Sequence, residues 1–538
     1  MSTRREWATG MDAMNQTLRR AAANAALCLL ALTAAGCAAW RPEVARQPTY
    51  AMAGAGHTAL GRAMAAQAAL HLGMSGFQVI ASGQSAFMAR VALADTAEAT
   101  LDLQYYSADD DASSDLLLGR LVSAAQRGVR VRILLDDIHA QSRLFAQRAL
   151  ALHPGIQVRL FNPFFFGGTT SLGRLLEFAF DAERLNRRMH NKLWVADNAA
   201  AIVGSRNLGD EYFDVHESAN FADIELLAAG PIVAEISNAF DLYWNSPSAV
   251  PAQAFVTAPA ALDAASEQQA LRQRTAACEG VAPCLWLTAD GVAAAMRTTT
   301  QSLTWARAEF VFDEPDGPKR PLAHDIEHGS ADDYPGGVRT QSELLIVSPY
   351  FIPSAQGRAH LGQMRERGVR VAVLTNSLAS TDSPAAHAGY ARHRVGLLRE
   401  GVELYEARLT PGAQHRLTHR WGEASPSSLH AKLVVRDRQH AIVGSLNQDP
   451  RSRLHNTEAW IAVDSAALAA DLAAFFEAAA DAHHAFKVEL DEAAGAGRLR
   501  WSTEEGGGIE RYDVEPAAAP WLRLWRRVLG VLVPEHML

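Results

Sequence analysis

Lysine is scarce in this chain of 538 residues, because only four of its 50 basic residues are lysines. Two of the four, Lys192 and Lys432, lie in a motif that occurs twice, although arginine supplies positive charge almost everywhere else. A compact ammonium group differs from a planar guanidinium in its reach and in the geometry of its donors. The placement of these two lysines therefore indicates a chemical requirement for an ammonium group.

A net positive charge is also lacking. The formal net charge is -9 at pH 7, whereas surfaces that bind nucleic acid are usually basic. The composition therefore argues against a nucleic-acid partner. The four cysteines do not have the spacing of metal ligands, and we expect neither a metal nor another cofactor. These cysteines are Cys28, Cys37, Cys278 and Cys284.

Long apolar runs are missing as well. The apolar stretch at residues 21–35 is too short to span a bilayer comfortably and is typical of a signal peptide. It ends at Gly36 and Cys37, which resembles the cleavage site of bacterial lipoproteins, where the cysteine carries the lipid. We predict a signal peptide at residues 1–37 and a lipid-anchored protein of the bacterial cell envelope that faces the periplasm or the exterior. An uncleaved anchor and a disordered leader are the alternatives.

The rest of the composition is that of a large globular protein. Hydrophobic residues make up 49% of the chain and charged residues 20%, which is ordinary for a chain with sizeable cores. The length predicts two to four domains. If the protein is exported, Cys278 and Cys284 face an oxidising compartment in which they can pair.

A set of six residue types occurs twice with identical spacing. The sequence MHNKLWVAD at residues 189–197 is followed by GSRN at 204–207, and LHAKLVVRD at 429–437 is followed by GSLN at 444–447. The offset of 240 residues between His190 and His430 also separates the two occurrences of RGVRV, which begin at residues 127 and 367. A constant offset over this distance indicates two similar halves. A reactive set repeated in both halves predicts one shared site.

Strand and helix patterns alternate around both motifs, which predicts a layered α/β architecture. Period-2 alternation places His190 and Lys192 on one face of their segment, and His430 and Lys432 repeat this arrangement. Apolar patterns predict strands at residues 100–106, 129–135, 156–161, 343–351 and 369–375, and helices at residues 114–126, 140–152 and 356–366.

These residue types suit the cleavage of a phosphodiester. One histidine can attack phosphorus and form a phosphohistidine, and a second can protonate the departing oxygen and then deprotonate the incoming alcohol or water. Lysines and asparagines can donate to the phosphoryl oxygens in the transition state. We therefore predict catalytic roles for His190, Lys192, Asn207, His430, Lys432 and Asn447.

The two motifs resemble those of the phospholipase D superfamily, whose members build one active site from two such halves. The resemblance implies two layered α/β/α halves, packed as a pseudo-two-fold pair with the site at their interface. It also implies that His190 is the nucleophile and His430 the acid/base, and that Asp223 and Glu458 are the carboxylates that orient the histidines.

The remaining motif residues have structural interpretations. Asp197 and Asp437 lie at the strand ends away from the histidines, which favours a role in a turn over catalysis. Ser205 and Ser445 either donate to phosphate or close a tight turn with the preceding glycines, Gly204 and Gly444.

Several longer stretches resemble bacterial cardiolipin synthases of the C type. The resemblance implies transfer of a phosphatidyl group to phosphatidylglycerol, with phosphatidylethanolamine as a further candidate substrate. A phospholipase D-type hydrolase and, less favoured, a nuclease fit the same catalytic residues. The stretches are LFNPF at residues 160–164, LNRRMHNK at 185–192, RNLGDEYF at 206–213, SPYFIP at 348–353 and QDPRS at 448–452.

After the signal peptide we predict a first phospholipase D-like half at residues 55–250, a connecting segment at 251–335, a second half at 336–495 and a tail at 496–538. Within the tail, residues 521–533 combine tryptophans, arginines and aliphatic residues in a stretch too short to cross a membrane. This stretch is predicted either to lie in a membrane interface or to dock on the protein's own core. The sequence leaves the oligomeric state open.

Overall fold

A computed structural model describes most of the chain after the predicted signal peptide. Cys28 and Cys37 lie outside the described residues, as does Cys278. The contacts divide the described chain into two compact units, of which one contains residues 164–186 and the other contains residues 46–163 and 187–535. The described residues are 45–165, 168, 170–217, 219–255, 264–277, 280, 282–301, 303–317, 339–408, 427–491 and 497–535.

The larger unit contains both motifs and all of the described strands. In chain order the strands are β1 (Ser75–Ile80), β2 (Thr100–Tyr105), β3 (Arg130–Asp136), β4 (Ile156–Phe161), β5 (Leu193–Ala196), β6 (Ala200–Gly204), β7 (Asn220–Ala222), β8 (Glu225–Ala229), β9 (Ala249–Pro251), β10 (Thr304–Phe312), β11 (Glu343–Val347), β12 (Arg370–Asn376), β13 (Glu403–Ala407), β14 (Ser427–Leu429), β15 (Leu433–Arg436), β16 (His440–Gly444), β17 (Ala459–Asp464), β18 (Ala485–Leu490), β19 (Leu499–Glu505) and β20 (Gly508–Tyr512).

Helices connect the strands, and several begin after a polar cap: the Ser82 side chain accepts a hydrogen bond from the amide of Ser85, and the Ser354 side chain accepts one from Gly357. Helices α5 and α6 belong to the smaller unit. The helices are α1 (Ala59–Ala68), α2 (Gly83–Thr96), α3 (Ala112–Gln126), α4 (Ala140–Leu152), α5 (Ser171–Phe180), α6 (Ala182–Asn186), α7 (Ile232–Trp244), α8 (Ala264–Ala277), α9 (Ala289–Gln301), α10 (Ala355–Glu366), α11 (Pro384–Ala391), α12 (Arg394–Arg399), α13 (Pro450–Leu454), α14 (Ala466–Ala479) and α15 (Pro520–Leu532).

The two motif-bearing halves have the same sheet order. In the first half the order is β4-β3-β2-β5-β6-β8, with β2, β3 and β4 parallel to one another. In the second half it is β13-β12-β11-β15-β16-β17, again with three parallel strands. The predicted α/β fold with two similar halves is confirmed.

Strands β1 and β10 join the two halves into one sheet. Strand β1 pairs with β8 of the first half, and β10 pairs with β17 of the second half. The two joining strands then pair antiparallel with each other, with Gly76 opposite Trp305. Each half therefore ends in an equivalent strand, and these strands meet where the halves join, as the predicted pseudo-two-fold arrangement requires.

The core of the larger unit consists of layers on the two faces of this sheet. One buried cluster combines residues from both halves, including Val195 of β5, Val435 of β15, Ile236 of α7 and Leu472 of α14. Two further clusters lie on the other face, one in each half, and each contains side chains of its own helices. The shared cluster fixes the two halves against each other, and with them the two motifs.

The motif aspartates hold the beginnings of the first parallel strand in each half. The buried carboxylate of Asp197 accepts hydrogen bonds from the amides of Ala99 and Thr100 at 2.8 and 2.9 Å. Asp437 accepts from the amides of Ser342 and Glu343 at 2.7 and 2.9 Å. Both aspartates therefore bind backbone at the end of the strand pair remote from the histidines.

The motif glycines are needed because neighbouring strands approach closely. A β-carbon on Gly204 would lie 2.6 Å from the side chain of Glu225, and one on Gly444 would lie 2.4 Å from the carbonyl oxygen of Ala459. Any larger residue would force the final turn of each motif away from its neighbouring strand.

The predicted connecting segment contains α8 and α9. Cys284, between these helices, is disulfide-bonded. Among the described residues, no helix combines the length and apolar character needed to cross a membrane.

Candidate active site

Both motifs contribute to one cavity of about 650 Å³. His190 and Asn207 come from the first half, and His430 and Asn447 from the second. The structure therefore brings together the two predicted histidines and asparagines. The other lining residues are Tyr106, Ser107, Asp109, His139, Glu211, Tyr212, Phe221, Tyr350, Asp382, Ser383, Ala385, Ala386, Asp449, Arg451, Asn456 and Val533.

The backbone of each histidine is bound to the opposite half. The amide of His190 donates to the carbonyl oxygen of Thr457 at 2.9 Å, next to Glu458. The amide of His430 donates to the carbonyl oxygen of Ala222 at 2.8 Å, next to Asp223, where β7 and β14 pair in parallel. Each histidine is therefore placed beside the acid that follows the other motif.

Each of the two predicted carboxylates contacts the histidine of the other half. Nδ1 of His190 lies 2.9 Å from a carboxylate oxygen of Glu458, and Nδ1 of His430 lies 2.7 Å from Asp223. Both carboxylates are fully buried. A carboxylate at Nδ1 favours a proton on that nitrogen and leaves Nε2 to react with a substrate.

The motif serines orient these carboxylates. The hydroxyl of Ser205 donates to Asp223, and the hydroxyl of Ser445 donates to Glu458 at 2.5 Å. The hydroxyl of Ser452, a residue that the sequence analysis did not single out, donates to the other oxygen of Glu458 at 2.8 Å. Ser452 lies in the QDPRS stretch, so the resemblance drew attention to the segment but not to this contact.

The motif lysines are buried beside their histidines. Nζ of Lys192 donates to the carbonyl oxygen of His190, and Nζ of Lys432 donates to that of His430, both at 2.6 Å. Burial lowers the pKa of Lys192 well below its ordinary value and lowers the pKa of Lys432 to about 8, although Asp223 and Glu458 oppose both shifts. An anionic phosphate between the lysines would favour their charged forms.

Burial favours the neutral form of both histidines. Burial and the charge of Lys192 lower the pKa of His190 well below its ordinary value. Burial and Lys432 also lower the pKa of His430, but the hydrogen bond to Asp223 acts in the opposite direction. A neutral imidazole is the form that attacks phosphorus or accepts a proton.

The asparagines complete the donor set. The side-chain amide of Asn207 donates to the hydroxyl of Tyr212 at 3.0 Å. Oδ1 of Asn447 is buried in the cavity wall without a hydrogen-bond partner among the described residues. Both side chains are placed where a phosphoryl group could meet them.

The outer cavity wall carries acids that the sequence analysis did not predict. Burial and the charge of Asp111 raise the pKa of Asp109 to about 7, and burial raises the pKa of Asp449 to about 6. Glu211 and Asp382 line the same cavity, and Arg451 is its cation beside His190. None of these residues belongs to the repeated motif, so its spacing gave no signal for them.

The comparisons identify relatives over most of the chain. A family model for "Cardiolipin synthase, PLD-like domain" matches residues 91–244 and 338–480. Cardiolipin synthase C of Escherichia coli strain K12 is 37% identical over 478 residues, which cover 87% of this chain and 97% of that protein. Cardiolipin synthase A of Pseudomonas aeruginosa strain LESB58 is 26% identical over 406 residues, 74% of this chain and 66% of that protein.

A solved structure has the same fold. The structure of phosphatidylserine synthase from Haemophilus influenzae Rd KW20 matches with a TM-score of 0.54 and 13% identity. The match covers 89% of this chain and 100% of that one. At this identity the likeness concerns the fold alone.

The crossed pairing leads to a first prediction. Glu458→Gln and Asp223→Asn should each lower kcat for a phosphodiester lipid by about 10³- to 10⁴-fold, because each amide leaves its histidine in the wrong tautomer. Ser452→Ala should lower kcat by about tenfold, since one hydrogen bond to a carboxylate contributes roughly 1.5 kcal/mol.

Steady-state kinetics on the single variants and on Ser452→Ala combined with Glu458→Gln provide the measurement. The double variant should be no slower than Glu458→Gln, because the serine acts through that carboxylate. Ser342→Ala is the matched control, since this hydroxyl donates at 2.8 Å to Asp437, away from the cavity. Independent, multiplicative losses at Ser452 and Glu458 would contradict the positioning role.

The lysine beside His430 leads to a prediction about pH. In the free enzyme, kcat/KM should fall with rising pH as His430 loses the proton that it gives to the leaving group, and the fall should steepen through about 8, where Lys432 loses its proton. On the acid side it should fall only below the ordinary histidine range, because the pKa of His190 is lowered. Lys432→Arg should be slower but should lose the steeper part above about 8, since a guanidinium stays charged. A steeper part that is unchanged in this variant would exclude Lys432 as its origin.

Proposed function

Because the chain belongs to the phospholipase D superfamily, within its family of cardiolipin synthase-like proteins, we propose that this phosphatidyltransferase makes cardiolipin. The donor is a phospholipid, and the acceptor is the terminal hydroxyl of phosphatidylglycerol. The observation that carries the proposal is the pair of histidines in one cavity, each bound to the carboxylate of the other half. The similarity to cardiolipin synthase C over 87% of the chain supports the choice of product.

The reaction has two displacement steps. In the first, Nε2 of neutral His190 attacks phosphorus, the bond from phosphorus to the head-group oxygen breaks, and the imidazolium form of His430 gives its Nε2 proton to that oxygen and becomes neutral. In the second, His430 takes the proton of the acceptor hydroxyl, the acceptor oxygen attacks phosphorus, and the bond from phosphorus to His190 breaks. The lysines and asparagines stabilise the charge on the phosphoryl oxygens in both steps.

The assignment of the two roles follows the resemblance, and the electrostatics support it. A nucleophile must stay neutral, and the pKa of His190 is lowered strongly by burial and Lys192. An acid/base must exchange a proton near neutral pH, and the hydrogen bond with Asp223 moves the pKa of His430 back toward that range.

Hydrolysis is the second candidate, since water can resolve the same phosphohistidine. A bound alcohol competes with water only if the site holds it close, because a well-oriented reactant has a large effective concentration. Arg451 supports the transferase, since it places a guanidinium at the cavity wall, where the phosphate of an acceptor phospholipid can bind. The acids Asp109, Glu211 and Asp382 make a nuclease less favourable, because they would repel a polyanionic chain.

The product made from membranes tests the proposal. Purified protein on vesicles with labelled phosphatidylglycerol, with and without phosphatidylethanolamine, should give cardiolipin as the main product and phosphatidic acid as a minor one. Mass spectrometry of the lipids provides the measurement. His190→Ala and His430→Ala should each abolish both products, and EDTA should leave the rate unchanged.

An activated donor separates the two histidines. A phosphatidyl ester of p-nitrophenol has a leaving group that needs no proton, so His430→Ala should still release nitrophenolate in a burst whereas His190→Ala should not. Phosphatidic acid as the dominant product of the unaltered protein would assign it to the hydrolases. Near-normal turnover in either histidine variant would contradict a single shared site.

We further propose that the protein is a lipoprotein of the bacterial cell envelope, attached through Cys37 and facing the periplasm or the exterior. The lipoprotein-like cleavage site supports this location, and so does the disulfide bond at Cys284, because such bonds persist in oxidising compartments. In this location the cavity has access to phosphatidylglycerol of the adjacent membrane.

The anchor can be tested by its chemistry. Cys37→Ala should abolish the incorporation of labelled palmitate into the protein and should move the protein out of the detergent-soluble membrane fraction. Cys28→Ala is the matched control and should incorporate palmitate normally. Unchanged incorporation in Cys37→Ala would show that the lipoprotein interpretation is wrong.

A further inference from the structure

Helix α15 is amphipathic, with its arginines on one side and its tryptophans and most of its aliphatic residues on the other. Arg526 forms an ion pair with the buried Glu515 at 3.1 Å, whereas Arg527 is exposed. A surface helix of a globular protein normally buries its apolar stripe and exposes its charges. In α15, all of whose residues are described, no side chain is buried.

The outward side of α15 carries large apolar side chains. Trp521 is 68% exposed, Leu524 63% and Trp525 48%, and near the end of the helix Val531 is 85% exposed and Leu532 68%. The spacing of these residues places them on one face of the helix. A contiguous exposed apolar face of this kind marks an interaction site rather than ordinary surface scatter.

Polar contacts fix the end of the helix. The guanidinium of Arg392 donates to the carbonyl oxygens of Gly530 and, at 3.1 Å, Val533. Glu535 lies 3.3 Å from Nε2 of His393 and 3.6 Å from Arg392. The helix is therefore held to the segment that follows α11 and does not depend on burial of its apolar face.

A second set of charges fixes the chain just before the helix. Glu515 lies 2.5 Å from Arg394 and 3.4 Å from His387. Burial raises the pKa of Glu515, but the hydrogen bond from His387 and the charge of Arg394 outweigh it and bring the pKa to about 2. The carboxylate is therefore ionised at neutral pH, and the attachment at the start of the tail is ionic.

The helix ends at the catalytic cavity. Val533, the residue after α15, lines the cavity together with Ala385 and Ala386 of α11, the helix against which α15 packs. The exposed apolar face and the cavity wall are thus continuous along the chain. Whatever covers the face must lie beside the cavity.

We propose that the outward face of α15 docks on the surface of an anionic phospholipid membrane and places the cavity opening at that surface. Tryptophans prefer the boundary between lipid chains and head groups, and Arg523 and Arg527 flank the apolar face with positive charge that suits anionic head groups. The occupant is a lipid interface rather than a protein groove, because the face adjoins a cavity whose proposed substrates are phospholipids. This inference rests on the proposed function for its choice of lipid.

Local insertion can be measured directly. A cysteine introduced by Val531→Cys, in the full chain with Cys28→Ser and Cys37→Ser and with the disulfide bond at Cys284 left intact, is labelled with an environment-sensitive fluorophore. The label should shift to the blue and brighten on vesicles that contain phosphatidylglycerol, and much less on phosphatidylcholine alone. Ile509→Cys is the matched control, since Ile509 is 65% exposed on β20, away from the helix, and should not respond.

The effect of membrane docking on turnover is tested with a second pair of variants. Trp521→Ser with Trp525→Ser should lower vesicle affinity and turnover on vesicles by roughly tenfold or more and leave turnover of a monomeric short-chain lipid unchanged. Leu70→Ser with Leu72→Ser removes apolar side chains that are 79% and 88% exposed elsewhere, and should change neither rate.

The fluorescence result does not depend on which product the enzyme makes, so failure of the proposed function leaves it interpretable. The absence of a shift at position 531, or an equal shift at position 509, would overturn the proposal. An equal response to phosphatidylcholine would overturn the requirement for anionic lipid. A shift that appears with rising protein concentration and without vesicles would assign the face to a second copy of the chain.

Discussion

The site depends on the contact between each motif histidine and the carboxylate that follows the motif of the other half. His190 takes its orientation from Glu458, and His430 takes its orientation from Asp223. Neither half therefore contains a complete catalytic unit, although each contains a complete motif. The shared apolar core between the halves does more than stabilise the fold, because a small displacement there would separate both histidines from their acids at once.

Burial determines the protonation states in this site. Burial lowers the pKa values of both motif histidines and both motif lysines, which suits His190 as nucleophile and opposes the lysines. The buried carboxylates offset part of that shift, so that each acid both orients a ring and supports an ammonium group. A bound phosphate adds negative charge between the lysines. The substrate itself therefore stabilises the charged form of the lysines.

The repeated spacing predicted the two similar halves, the shared site and the histidines and asparagines that line it, because spacing is local information. It did not predict the crossed pairing of His190 with Glu458, which depends on how two segments far apart in sequence pack together. The contact of Ser452 with Glu458 was missed for the same reason. The acids near the cavity opening, such as Asp109, lie outside the repeat, so only the folded chain brings them to the histidines. The division into five segments and the lipid on Cys37 remain predictions.

The polarity of the cavity connects the catalytic site with the tail. The catalytic histidines share the cavity wall with carboxylates, amides and hydroxyls, whereas Phe221, Ala385, Ala386 and Val533 give it apolar surface as well. A phosphate and its head group suit the polar part of this wall. Helix α15 presents an apolar face beside the cavity, because Glu515 binds Arg526 and Arg392 binds the carbonyl oxygen of Val533. The same polar attachments that leave the face exposed would let a lipid surface meet the polar part of the site.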